Sequence, residues 1–159
     1  MAFVLKSPAF SHGEEMPTRY TCEGANVSPP LEWSGAPPGT RSFALVMEDL
    51  DAPSGPFRHW ALYDIMADRT LLPEGVGRGV KTEALGHGVN DYGHPRYDGP
   101  CPSERDDAHR YRFRLAALDL ETPLATPKEP AGDLWDTIRP YILAEAELIG
   151  SYTSRHKRD

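Results

Sequence analysis

The sequence predicts a mostly β protein, with antiparallel strands first and a small helical segment at the C-terminal end. Apolar runs of strand length alternate with turn clusters along the chain, and these clusters hold most of its 16 prolines and 14 glycines. Helical patterning appears only beyond residue 130. With 159 residues, of which 39% are hydrophobic, the chain is expected to bury a core as one domain spanning residues 1–159.

Five segments have the apolar patterning of strands. In the clearest of them, apolar residues at odd positions alternate with Arg112 and Arg114, which predicts one buried and one solvated face. Two others are apolar on both faces, as expected of central strands. In chain order the five are FVLK (3–6), PLEWS (30–34), RSFALVMEDLDAP (41–53), HWALYDI (59–65) and YRFRLAALD (111–119).

Two helices are predicted near the C-terminus. Asp133 is a candidate N-cap for a short helix through LWDTI (134–138). Pro140 suits the first turn of a second helix, PYILAEAELI (140–149), which Gly150 is expected to end.

The overall charge argues against several partners. The formal net charge is −7, so no nucleic acid or anionic membrane surface is expected as a partner. No stretch approaches transmembrane length, and the first ten residues lack the features of a secretory signal. We therefore expect a cytoplasmic protein that is not an integral membrane protein.

Polar groups that suit a binding or catalytic site fall in four short stretches: EDLDAP (48–53), RHW (58–60), GPCP (99–102) and HRY (109–111). Asp49 and Asp51 share the parity of the apolar residues before them, and His109 shares that of Tyr111. Taken singly, each stretch is more typical of a turn or of a packed histidine than of a functional site. The long loop 85–102 between them is of the kind that often carries function.

Taken together and in order, the stretches resemble the phosphatidylethanolamine-binding protein family, in its bacterial and archaeal Raf kinase inhibitor-like branch. The resemblance covers almost the whole chain. It rests on NVSPPLEW (26–33), FALVMEDLDAPSGPFRHWALYDI (43–65), GVNDYGHPRYDGPCP (88–102), HRYRFRLAALD (109–119) and AELIGSYTSR (146–155). One departure is Leu50, where the family usually has proline between the two aspartates; proline has no amide hydrogen, so leucine restores one.

The resemblance implies an antiparallel β-sandwich with a small surface cavity for a phosphate-bearing head group. By similarity, Asp49 and Asp51 lie on the cavity wall, His59 and His109 face it, and Tyr111 offers a hydroxyl. Gly99 and Pro100 form the rim, where we expect the glycine to let the backbone approach an anion closely. The expected ligand-binding residues are Asp49, Asp51, Pro53, His59, Gly99, Pro100, Cys101, His109 and Tyr111, with no catalytic residue, metal or cofactor.

Two carboxylates beside a phosphate repel it, so such a cavity needs compensation. Protonated His59 or His109, free loop amides or a shared proton are the candidates. The acidic segment SERDDA (103–108) is expected to weaken the binding of anions.

The sequence is compatible with three functions. The first is a non-enzymatic protein that binds a phosphate-bearing small molecule or phospholipid head group, with a protein kinase or serine protease partner and a homodimer implied by the resemblance. The second is a metal-dependent or acid–base hydrolase that uses Asp49, Asp51, His59 and His109. The third is an interaction module with a vestigial pocket.

The two cysteines, Cys22 and Cys101, are too few for a disulfide scaffold and lack metal-finger spacing. They are within disulfide reach if the segment before NVSPP folds against the cavity. We expect instead two reduced thiols, because the expected compartment is reducing.

Overall fold

A computed structural model describes residues 2–76, 85–121 and 130–157. Two antiparallel sheets pack face to face, and one helix covers the outer face of the larger sheet, so the predicted fold class is confirmed. The elements are β1 (Val4–Lys6), β2 (Leu31–Ser34), β3 (Ser42–Asp49), β4 (Phe57–Met66), β5 (Leu71–Leu72), β6 (Gly86–His87), β7 (His109–Leu118), α1 (Ala131–Ile138) and β8 (Ile142–Tyr152).

The smaller sheet has the order β1-β2-β5 and the larger one β6-β4-β3-β7-β8. Strand β3 lies at the centre of the larger sheet, and all eight of its residues are buried. Phe43, Leu45 and Met47 point into the core between the sheets, whereas Ala44 and Val46 contact the layer beneath α1. The two apolar faces of this segment therefore have different partners, and only its last residues reach a polar environment.

Helix α1 packs Leu134, Trp135 and Ile138 against the outer face of the larger sheet. The helix begins at Ala131 after Pro130, and Asp133 lies in its first turn. The prediction that Asp133 caps the helix is therefore wrong, because the helix starts two residues earlier. No helix in residues 2–76, 85–121 and 130–157 is long and apolar enough to span a membrane.

The prediction of a second helix over residues 140–149 is wrong, because these residues belong to a short 3-10 turn and then to the eleven-residue strand β8. Alanine and glutamate favour helix, but here they alternate between the two faces of a strand. Ala146 and Leu148 enter the core, while Glu145 and Glu147 form ion pairs with arginines of β7. Pairing along the whole of β7 outweighs local helix propensity.

Candidate functional site

A pocket of about 260 Å³ opens where β3, β4 and β7 meet the loops. Five of the nine predicted site residues line it: Asp49, Pro53, His59, Cys101 and His109. The other lining residues are Ala52, Phe57, Tyr92, Pro102, Ser103 and Asp106. Strand pairing explains the convergence, because Asp49 lies opposite Phe57 on one side and opposite Tyr111 on the other.

His109 is held between two carboxylates at this pocket. Its Nδ1 lies 2.6 Å from Asp49 Oδ2, and its Nε2 lies 3.0 Å from Asp106 Oδ2. A carboxylate only accepts hydrogen bonds, so an imidazole that bonds to one through each nitrogen is a double donor, which is the imidazolium form. Asp49 is fixed further, because its Oδ1 accepts the backbone N–H of Asp51 at 2.8 Å.

The protonation of His109 follows from these contacts. Burial lowers the pKa of His109, but the hydrogen bonds and charges of Asp49 and Asp106 outweigh burial and raise the pKa above its ordinary value. The contacts with both carboxylates therefore favour the imidazolium form of His109.

His59 behaves in the opposite way. Its Nδ1 lies 2.8 Å from the carbonyl oxygen of Asp98, so this nitrogen carries the hydrogen and donates it. Burial is the dominant cause that lowers the pKa of His59, and His59 is therefore neutral at pH 7. Of the two histidines predicted as candidate cations, only His109 fits that role.

An aromatic wall faces the charged groups. The ring centroids of Phe57 and Tyr92 lie 4.7 Å apart, and those of Phe57 and His59 lie 5.1 Å apart, with the rings edge to face. Tyr92 remains 47% exposed although it packs against this cluster. The pocket thus combines one charged corner with an apolar side, which is typical of small-ligand sites.

Asn90 positions the loop that carries Tyr92. Its side-chain amide donates to the carbonyl oxygen of His59 at 3.1 Å and to Asp98 Oδ2 at 2.8 Å. Its Oδ1 accepts the backbone N–H groups of Tyr92 and His94 at 3.0 and 3.1 Å. One buried side chain therefore ties the 90–98 loop to β4, and the sequence analysis missed it.

Asp51 does not line the pocket. Its carboxylate accepts hydrogen bonds from Nε and Nη2 of Arg110 at 3.0 and 2.9 Å, and from the backbone N–H of Arg110. The Arg110 hydrogen bonds hold the pKa of Asp51 below its usual range. The backbone N–H of Leu50, absent where the family has proline, donates to the Arg110 carbonyl oxygen at 2.9 Å. Leu50 thus adds one hydrogen bond between this turn and β7.

Three further predicted residues lie behind the pocket. Gly99 and Pro100 are buried, and the Gly99 N–H already donates to Asn26 Oδ1 at 2.7 Å. Tyr111 is fully buried, with its ring 5.5 Å from that of His59 and 6.4 Å from that of His109. Gly99, Pro100 and Tyr111 therefore support the pocket rather than line it.

Cys22 and Cys101 form a disulfide, so the expectation of two reduced thiols is wrong for this structure. The backbone N–H of Cys22 also donates to the Pro100 carbonyl oxygen at 3.1 Å. The segment before NVSPP does fold against the cavity loop, as the alternative required. Cys101 lines the pocket, so the bond ties one pocket wall to the 18–26 segment.

Sequence reasoning missed Phe57, Tyr92 and Asp106 as pocket residues. A signal was present for Phe57, because it lies two residues before His59 and therefore on the same face of β4. Asp106 and Tyr92 lie in loops, where no periodicity predicts the direction of a side chain. Among the described residues, no group of three or more His, Cys, Asp or Glu side chains is placed to hold a metal ion.

The fold and the pocket define a class: a β-sandwich of the binding-protein type. The chain belongs to the phosphatidylethanolamine-binding protein family, whose model matches residues 6–153. A UPF0098 protein of Aquifex aeolicus is 40% identical over 153 residues, covering 96% of this chain and 87% of its own length. One of Methanothermobacter thermautotrophicus is 42% identical over 149 residues, covering 93% of this chain and 97% of its own.

Solved structures agree with this assignment. The crystal structure of Escherichia coli YbcL, described as a member of the mammalian PEBP family, matches with a TM-score of 0.91 and 33% identity. That match covers 98% of this chain and 100% of YbcL. The Chlamydia trachomatis homologue CT736 matches with a TM-score of 0.85 and 34% identity, covering 96% of this chain and 98% of its own.

Proposed function

We propose that this protein is a non-enzymatic binding protein whose pocket accepts the phosphate-bearing head group of a small molecule or phospholipid. The observation that carries the proposal is the cationic His109 at one corner of a pocket with an aromatic wall. An imidazolium donates a charge-assisted hydrogen bond to an oxyanion, and the aromatic side accepts the carbon skeleton of the ligand.

The size of the pocket limits the ligand. Its volume of about 260 Å³ lies below the range of about 300–1,000 Å³ common for drug-sized ligands. A head group fits this volume, whereas whole acyl chains do not. The proposal therefore concerns recognition of the polar end of a lipid or of a free phosphorylated metabolite.

The pH dependence of binding tests the proposal. The probe is glycerophosphoethanolamine, because its phosphodiester does not titrate between pH 5.5 and 8.5 and the observed change then reports on the protein. The pKa of His109 is raised above its ordinary value of about 6.5, so His109 is mostly protonated below that pH and loses its proton as the pH rises through the raised pKa. We expect affinity measured by calorimetry to be highest below pH 6.5 and to fall as pH rises through the raised pKa.

His109→Gln supplies the matching variant. Glutamine still hydrogen-bonds but carries no charge, so we expect at least about tenfold weaker binding at pH 6 and a flat profile. His156→Gln, at an exposed histidine near Glu23, serves as the control and should bind as the parent does. A parent profile that is flat, or that rises with pH, contradicts the role given to His109.

The family resemblance extends the proposal to a protein partner, a kinase or a serine protease, and to a homodimer. Light scattering of the purified protein tests the dimer. Inhibition assays with His109→Gln beside the parent test whether the pocket acts on the partner, since a partner effect that survives the variant uses another surface.

The disulfide makes the expected cytoplasmic location testable. Thiols stay reduced in most cytosols, whereas secreted and periplasmic proteins keep disulfides. If the protein is cytoplasmic, alkylation of acid-quenched cells should trap Cys22 and Cys101 as free thiols. Cysteines that resist alkylation until a reductant is added would place the protein in an oxidising compartment.

A further inference from the structure

Asp106 accepts the hydrogen bond from His109 Nε2 that a ligand oxyanion needs. Its Oδ2 lies 3.0 Å from His109 Nε2, and its side chain, 39% exposed, belongs to the pocket lining. The other ring nitrogen is bound by the buried carboxylate of Asp49. Both donors of the cation are therefore in use before any ligand arrives.

The two carboxylates differ in how firmly they are held. Asp49 is only 6% exposed, ends a central strand and accepts a second hydrogen bond from the Asp51 amide. Within the described chain, the hydrogen-bond and ion-pair partner of the Asp106 carboxylate is His109, and Asp106 lies in the largely exposed 103–108 turn. Asp106 can rotate into water by giving up its hydrogen bond to His109 alone, whereas Asp49 would also lose the hydrogen bond from the Asp51 amide.

We propose that Asp106 is a built-in competitor for the oxyanion position, so that a ligand phosphate binds by displacing its carboxylate from His109 Nε2. This inference rests on the proposed function and adds a specificity-determining residue to it. The ligand exchanges one carboxylate–imidazolium bond for a phosphate–imidazolium bond, while Asp106 becomes hydrated. An anion that makes no other contact gains little binding free energy from this exchange. The pocket therefore favours a ligand that also contacts its aromatic wall.

The local charge balance supports the competition. Among the described residues, His109 faces Asp49 from β3, Asp106 from its own loop and the uncharged ring of Tyr111. The carboxylate of Asp51, in the turn after β3, also interacts with the charge of His109. The adjacent Arg110 is paired with Asp51 and does not add a free cation. Two carboxylates around one imidazolium leave the corner with a net charge of about −1, which repels an incoming phosphate.

Removal of the Asp106 charge should therefore strengthen anion binding. We expect Asp106→Asn and Asp106→Ala to bind glycerophosphoethanolamine about tenfold more tightly than the parent at pH 6, since a half-exposed like charge is partly screened. Inorganic phosphate is titrated in parallel, and a gain for either probe supports displacement and identifies whether the head group or free phosphate is preferred. The pKa of His109, followed by NMR, should fall in both variants because one of its two carboxylate partners is lost.

Asp107→Asn is the matched control. It makes the same change in net charge one residue away, at a side chain that is 99% exposed and pairs with Lys157. Its affinity should stay within about twofold of the parent. Equal gains in Asp106→Asn and Asp107→Asn overturn the competition, because they indicate a general charge effect.

The remaining outcomes separate this inference from the proposed function. A parent that binds the probes, with Asp106 variants that bind no better, overturns the competition and leaves the proposed function standing. If the Asp106 variants bind the probes and the parent does not, that result supports the competition directly. A lack of binding by every variant and the parent overturns both, provided that circular dichroism shows the same fold.

Discussion

We expect the double variant Cys22→Ser, Cys101→Ser to lose about 4 kcal/mol of unfolding free energy. The disulfide joins residues 79 apart in the sequence, and its removal restores the loop entropy of the unfolded chain. The 99–102 wall of the pocket then loses its covalent attachment to the 18–26 segment, so affinity for the head group should fall as well. Urea unfolding of the parent and the variant under non-reducing conditions measures the loss.

Reductant provides the control for the cysteine prediction. A strong dithiol should lower the urea midpoint of the parent to that of the double variant and leave the variant unchanged. Equal midpoints for the oxidised parent and the variant would show that the bond adds no stability to the folded protein.

We expect the second large effect from Gly99→Ala, which should lower the free energy of unfolding by about 3 kcal/mol or more. A Cβ at this position lies 2.0 Å from the Tyr20 carbonyl oxygen and 3.0 Å from Thr21 Cα, so it meets backbone that cannot rotate away. Relief of the overlap requires the 20–22 segment to move, and Cys22 moves with it. Thermal and urea unfolding measure the loss, and titration of glycerophosphoethanolamine should show weaker binding.

Gly132→Ala is the matched glycine control. Its added Cβ would lie 3.6 Å from Arg58 Nη1, which is an ordinary contact, and the residue is helical. Alanine in a helix is favoured over glycine by up to about 1 kcal/mol, so this variant should be as stable as the parent or slightly more stable. A Gly99→Ala protein with parental stability would contradict the backbone overlap.

The sequence predicts the central strands well because their patterns reflect burial. Strand β3 is apolar on both faces and lies between two layers, and the odd positions of β7 enter the core as their spacing indicates. Strand β8 was missed because alanine and glutamate carry a local helix preference. Its true environment depends on arginines more than thirty positions earlier, such as the Arg114 partner of Glu145, and no local window contains them.

The sequence likewise predicts one part of the candidate site and misses another. The alternation of residues along β3 and β7 predicts that Asp49 and His109 lie at the ends of the inward-facing sides of their strands. In the structure their side chains lie 2.6 Å apart. Parity also placed Tyr111 inward, but it cannot distinguish a residue that lines a cavity from one buried behind it. The position of Asp106 depends on the turn at Ser103, whose carbonyl oxygen accepts the Asp106 N–H, and the composition of this loop did not predict it.

The unequal attachment of the two sides of the pocket has a consequence for protein engineering. The side formed by residues 99–102 is cross-linked and hydrogen-bonded to the 18–26 segment, so substitutions there should mostly reduce the yield of folded protein. The 103–108 turn is exposed over most of its length. A library confined to that turn can therefore be selected for new ligands while the scaffold tolerates the changes.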